Sequence, residues 1–174
     1  MTQATATLQQ WLESIPGRKT QFNLLNVLGP VFDRFSSCAT SSAGLQIKAG
    51  SSALAKTGSA VTTLVANGIA VSIAGSTDMP ALTGIDIAQN SFRQVCFFID
   101  SAAAVTVAAG ASGTTRVLAT FPPFPAGKAL IGYLTIEATS AFTGGSTALD
   151  AVTTDYSSPT GAWDPSVLVG ATSY

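Results

Sequence analysis

From residue 45 onward the chain runs in short apolar stretches, many alternating with Thr or Ser, and cut at intervals by Gly, Pro or Asn. Period-two alternation over five to nine residues predicts strands rather than helices. The clearest case is residues 60–75, "AVTTLVANGIAVSIAG". Asn67-Gly68 supplies the positive φ angles of a type I′ turn, so Val61–Ala66 and Ile69–Ala74 form a hairpin. "LQIKAG" (45–50) and "ALAKTG" (53–58) read as two further short strands. "STDMPALTGIDIAQNS" (76–91) reads as a long loop marked by Pro80 and Gly84. "FRQVCFFID" (92–100) is the strongest central strand, and it is joined to "AVTVAAG" (104–110) by a turn at Ser101-Ala102. "TTRVLATF" (114–121) and "ALIGYLTIEAT" (129–139) flank "PPFPAGK" as a third hairpin. No long helical pattern follows residue 40, so the sheets are expected to be antiparallel, not βαβ. Strands at this spacing suit a sandwich, jelly roll or barrel, and periodicity does not separate the three.

The first 37 residues have a different texture. Leu8, Trp11, Leu12 and Ile15 fall on one face of a short helix, which Pro16-Gly17 ends. Phe22, Leu25, Leu28 and Phe32 continue an apolar stripe, broken at Gly29-Pro30. Helices this short are marginal alone, so another surface has to hold them. They either cover an open end of the main domain or dock on a neighbouring subunit. "SSCATSSAG" (36–44) reads as a linker. The expected organisation is a helical N-terminal arm and linker at 1–40, a mainly β domain at 41–158, and an irregular Pro/Gly-marked tail at 159–174.

Charge alters the picture. Of 174 residues only 10 % are charged, against roughly 25 % in ordinary soluble domains, and the net charge is −1. A monomer so poor in charge lacks the usual protection against association, which points to a surface covered in an oligomer or larger assembly. The Ala-, Ser-, Thr- and Gly-rich strands bury little per residue, and association would add burial. Eight Lys/Arg balanced by nine Asp/Glu make no basic patch, so no nucleic-acid partner is expected. Arg93 and Arg116 are expected to pair with Asp100 or Glu137, or to face a subunit contact. No apolar run of roughly 18 residues is present, so no membrane span is expected. The N-terminus lacks the pattern of a secretory signal, giving an expectation of synthesis and retention in a cytoplasm.

Candidate chemistry is sparse. The chain has no His, which removes the commonest general base and metal ligand. Cys38 and Cys96 stand far apart and read as two buried thiols, with one disulfide between them as the alternative. Asp78 with Asp86, and Asp150 with Asp155, share loops. A glycosidase would need two carboxylates across a sugar cleft lined with aromatics, yet the two Trp lie in the terminal segments. The acidic groups are also too sparse for a dedicated calcium loop. "GSSALAKT" (50–57) departs from a phosphate-binding loop at Ala55 and is followed by a strand pattern rather than a helix. No enzyme activity, cofactor or metal is expected.

Two blocks carry a resemblance: "LQIKAGSSALAKTGSAVTTLVANGIAVSIAGSTDMPALTG" and "KALIGYLTIEATSAFTGGSTALD". Together they resemble small all-β structural proteins of tailed-bacteriophage virions, over roughly residues 45–150. The resemblance implies a virion component of the capsid cement or decoration type, with the major capsid protein and further copies of itself, as a homotrimer, for partners. It implies a place on the capsid surface after synthesis in the host cytoplasm. On that reading the arm clamps an adjacent capsomer through Trp11, Leu12, Phe22 and Phe32. The alternative is a head-fibre or tail attachment component that binds the host surface.

Overall fold

The computed structural model describes residues 36–161. Nine strands are present there, and no helix: β1 (Cys38–Ala39), β2 (Gln46–Ile47), β3 (Ala55–Lys56), β4 (Thr62–Ala66), β5 (Ile69–Ile73), β6 (Ser91–Ile99), β7 (Val105–Ala109), β8 (Ala129–Ala138) and β9 (Thr153–Ser157). They form sheets in the orders β1-β4-β5, β2-β3 and β7-β6-β8-β9, with every pairing antiparallel. The mainly β, antiparallel expectation holds. The proposed helical arm lies outside the described residues, as does nearly all of the tail.

The β4–β5 hairpin forms as expected. Asn67 and Gly68 have φ of 51° and 76°, and the ladder runs unbroken from Ala66↔Ile69 to Thr62↔Ile73. β6 is the centre of the larger sheet because both of its faces are apolar. Val95, Phe97 and Ile99 face the main core, while Cys96 and Phe98 face a smaller cluster with Leu130. The main core also takes Leu64, Ala66 and Ile73 from the β1-β4-β5 sheet and Ile131, Leu134 and Ile136 from β8, so the two larger sheets share one interior. On the second face Phe98 meets Phe124 edge-on with ring centres 5.1 Å apart, and Phe121 meets Tyr133 likewise at 5.0 Å.

The register of β6 on β8 slips once. Phe97 faces Gly132 and Phe98 faces Leu130, leaving Ile131 as an extra residue. This bulge lets Leu130 and Tyr133 serve the small cluster while Ile131, Leu134 and Ile136 serve the main core. Gly132 is required there. A Cβ on it would lie 2.5 Å from the carbonyl oxygen of Ser157 and 2.6 Å from Leu45 Cδ1.

Three expectations are corrected. Residues 114–121 form no strand: Thr115–Leu118 is a turn, closed by Leu118 N donating to Thr115 O at 3.1 Å. The edges of β8 that such a strand would need are held by β6 on one side and β9 on the other. The third hairpin is therefore absent, and β8 takes β9 as its outer neighbour. β9 lies inside the expected β domain at 41–158, in a stretch where the sequence pattern predicts no strand. Finally, "SSCATSSAG" is no free linker. It carries β1, buries Ser36, Ala39 and Ala43, and donates Thr40 N to Thr63 O at 3.0 Å. Where the described body ends, Gly161 N donates to Ala39 O at 2.7 Å.

Candidate functional site

The carboxylates weighed for chemistry and set aside serve structure, each in a different place. Asp78 Oδ2 takes Lys48 Nζ at 2.6 Å, and Asp86 Oδ1 accepts Gly144 N at 3.1 Å. Asp150 Oδ2 accepts Ser51 N at 2.8 Å, and Asp155 Oδ2 pairs with Arg116 Nη1 at 2.7 Å. Asp100 Oδ1 accepts the N–H groups of Ala102 and Ala104, both at 2.9 Å, and so closes the β6–β7 turn. Among the described residues no three His, Cys, Asp or Glu side chains come together as a metal-binding group.

The arginine pairings differ from expectation. Arg93 Nε donates to Gly110 O at 2.8 Å and its Nη1 to Asp86 O at 2.9 Å, tying two loops together through carbonyls. Arg116 meets Asp155, not Asp100 or Glu137. Lys56, the lysine of the phosphate-loop-like stretch, sits in β3 and leads into no helix. Cys38 and Cys96 are not joined by a disulfide; Cys96 is buried as expected, while Cys38 is half-buried. Burial pushes Cys96 up to about 12 and Cys38 upward, so neither is an activated thiolate. Burial, with a smaller push from the Asp150 carboxylate, also raises Tyr156. A cavity of about 20 Å³ lies between Cys38, Phe124, Lys128 and Leu130. That is room for a water molecule, not for a substrate. No described helix is long and apolar enough to cross a membrane.

What stands out instead is the turn at Thr115–Leu118. Val117 is 92 % exposed and Leu118 60 % exposed. Their support is firm. Phe92 and Gly113 exchange N–H···O bonds at 2.8 and 3.0 Å, Thr120 N donates to Ala111 O at 3.1 Å, and Ala111 N donates to Thr120 Oγ1 at 3.1 Å. Arg116, ion-paired to Asp155, holds one flank. Two aliphatic side chains are thus held outward on a braced loop. Leaving them in water forfeits roughly 1.5–3 kcal/mol each of burial free energy. Such a feature suits a contact with another macromolecule. A third exposed apolar group, Val61 at 59 %, precedes β4, and Ile69 at 45 % begins β5.

The sequence reading placed Val117 and Leu118 inside a strand, so it missed their exposure. The only available signal was Gly110 and Gly113, which allow the backbone to fold tightly ahead of them. Trp11, Leu12, Phe22 and Phe32, the proposed arm anchors, lie outside the described residues. No family model, curated protein or solved structure matches the chain.

Proposed function

We propose that this chain is a non-enzymatic structural protein of a tailed-bacteriophage particle, an oligomeric cement or decoration protein that binds and stabilises the capsid shell from its outer surface. Its partners are the major capsid protein and further copies of itself, as a homotrimer, and the arm anchors Trp11, Leu12, Phe22 and Phe32 grip an adjacent capsomer. The body is sandwich-like, which the common interior of the β1-β4-β5 and β7-β6-β8-β9 sheets supports. The observation that carries the reading is the braced turn with Val117 and Leu118 held in solvent. A charge-poor body that uses its carboxylates on its own backbone and cations has little for chemistry but a good deal for protein contact.

The same projecting pair also fits a head-fibre or tail component that touches the host surface. Copy number separates the two. Quantitative mass spectrometry of purified particles gives the ratio of this chain to the major shell protein. A ratio approaching unity supports cement, and a few per cent or less supports a fibre or tail part. Absence from particles rejects both. Replacing Val117 and Leu118 together by Ser is expected to weaken shell binding about a hundredfold or more, as the lost apolar burial implies.

A further inference from the structure

β5 is the outer strand of its sheet, with β4 on one side and no strand on the other among the described residues. The ladder fixes which backbone groups face the open side. Thr63 N donates to Ser41 Oγ at 2.8 Å and Thr63 O accepts Thr40 N at 3.0 Å, so both backbone groups of Thr63 point toward β1. Its cross-strand neighbour Ser72 therefore belongs to a pair not bonded across β4–β5, and its N–H and C=O point outward. Ala70, two residues earlier, points the same way. The two-residue turn at Asn67-Gly68, closing on the bonded pair Ala66–Ile69, gives the same parity independently. Among the described residues no hydrogen bond reaches these outward groups of Ala70 and Ser72. The edge is closed at both ends: Gly68 N donates to Ser36 O at 2.7 Å, and Ala74 O accepts Thr77 Oγ1 at 2.7 Å. The open stretch is as long as β5 and no longer.

Natural sheets guard such edges with charge, proline, a bulge or a cover. Ile69-Ala70-Val71-Ser72-Ile73 carries no charge and no proline, and its ladder with β4 has no bulge. We propose that β5 pairs antiparallel with β5 of a second copy of this chain, across a twofold axis at Val71. In that register Ala70 lies opposite Ser72 of the partner subunit, and the two exchange both N–H···O bonds. Ser72 does the same with Ala70 of the partner subunit, so all the outward groups are satisfied. Val71 faces the partner's Val71, and Ile69 faces the partner's Ile73. The half-exposed Ile69 gains an apolar cross-strand neighbour. The second copy is the occupant because the edge is complementary to itself in bonding pattern, and because a neutral strand on a chain of net charge −1 sets up little repulsion between copies. The contact stands on edge geometry and does not need the virion reading. It closes on itself as a dimer contact, so a threefold association would use another surface.

The test uses the full chain. Sedimentation velocity from micromolar to near-millimolar concentration is expected to show a reversible dimer step. Ala70→Pro removes only an outward N–H and keeps the bonds to β4. It is expected to raise the dissociation constant of that step roughly 30-fold or more, from one lost hydrogen bond on each side. Should Ala70→Pro misfold, Ser72→Lys adds charge on the exposed side of the same edge and is expected to weaken the step likewise. In a Cys38→Ser background, Val71→Cys places two thiols in a pair with Cα atoms about 4.5 Å apart, within disulfide reach. Mild oxidation is expected to yield a covalent dimer, while Ser72→Cys, offset from its own counterpart, yields little. A folded Val71→Cys chain that does not cross-link, or an oligomer whose mass ignores both edge variants, overturns the proposal and leaves the cement reading untouched.

Discussion

The two larger sheets solve the same problem in different ways. In the four-stranded sheet β6 is covered on both faces and bonded on both edges, and Val95, Cys96, Phe97, Phe98 and Ile99 are each fully buried. In the three-stranded sheet β4 is bonded on both edges, but among the described residues β5 keeps one edge open, and three of its five residues are exposed. Both sheets end on outer strands, but only the four-stranded sheet has a central strand wholly enclosed. Stability is therefore concentrated in β6–β8, while the β4–β5 hairpin is free to serve contact.

This contrast can be broken at several points. Phe97→Ala removes a ring from the most enclosed position, and a loss of about 3–5 kcal/mol in chemical denaturation is expected. Alkali attacks the same sheet through Cys96. Burial raises its folded pKa to about 12 from the ordinary 9.0, so the folded chain holds a proton that the unfolded chain releases. The stabilising difference is fully present below pH 9 and is lost as pH rises toward 12. Between those limits stability is expected to fall by up to about 1.4 kcal/mol per pH unit. Tyr156, also raised, acts in the same direction. Cys96→Ser should flatten the slope; denaturation midpoints measured from pH 8 to 11 check it. Gly132→Ala drives a methyl into Ser157 O and Leu45 at the bulge, for an expected loss of about 1–3 kcal/mol in the same assay. In the thinner sheet, Gly68→Ala forces a side chain into positive φ at the hairpin turn, for a loss of about 1 kcal/mol. If Gly68→Ala cost as much as Phe97→Ala, the contrast between the sheets would be wrong.

The parts legible in the sequence were those set by local chemistry. Asn67-Gly68 fixed a turn, and the apolar run at 92–100 could lie only in the middle of a sheet. What escaped depended on competition between segments. Residues 114–121 have a strand pattern, but their expected partner β8 pairs with β6 on one edge and with β9 on the other. Thr153–Ser157 has a polar pattern and becomes a strand because the outer edge of β8 was open to it. "SSCATSSAG" looks like a linker since small polar residues mark turns, yet its hydroxyls and amides suit the backbone of β4: Ser41 Oγ accepts Thr63 N at 2.8 Å. Of the site, the absence of His and the scattered carboxylates were readable as composition. The exposure of Val117 and Leu118 was not, because alternation tells which residues are apolar and not whether a face awaits them.

The hydrogen bond from Gly161 to Ala39 has an architectural consequence. It joins two points 122 residues apart in the chain, so everything between them, β2 to β9 included, lies inside one loop closed by backbone. A pull applied through the two flanking segments would load that one junction first and reach β6 and β8 last.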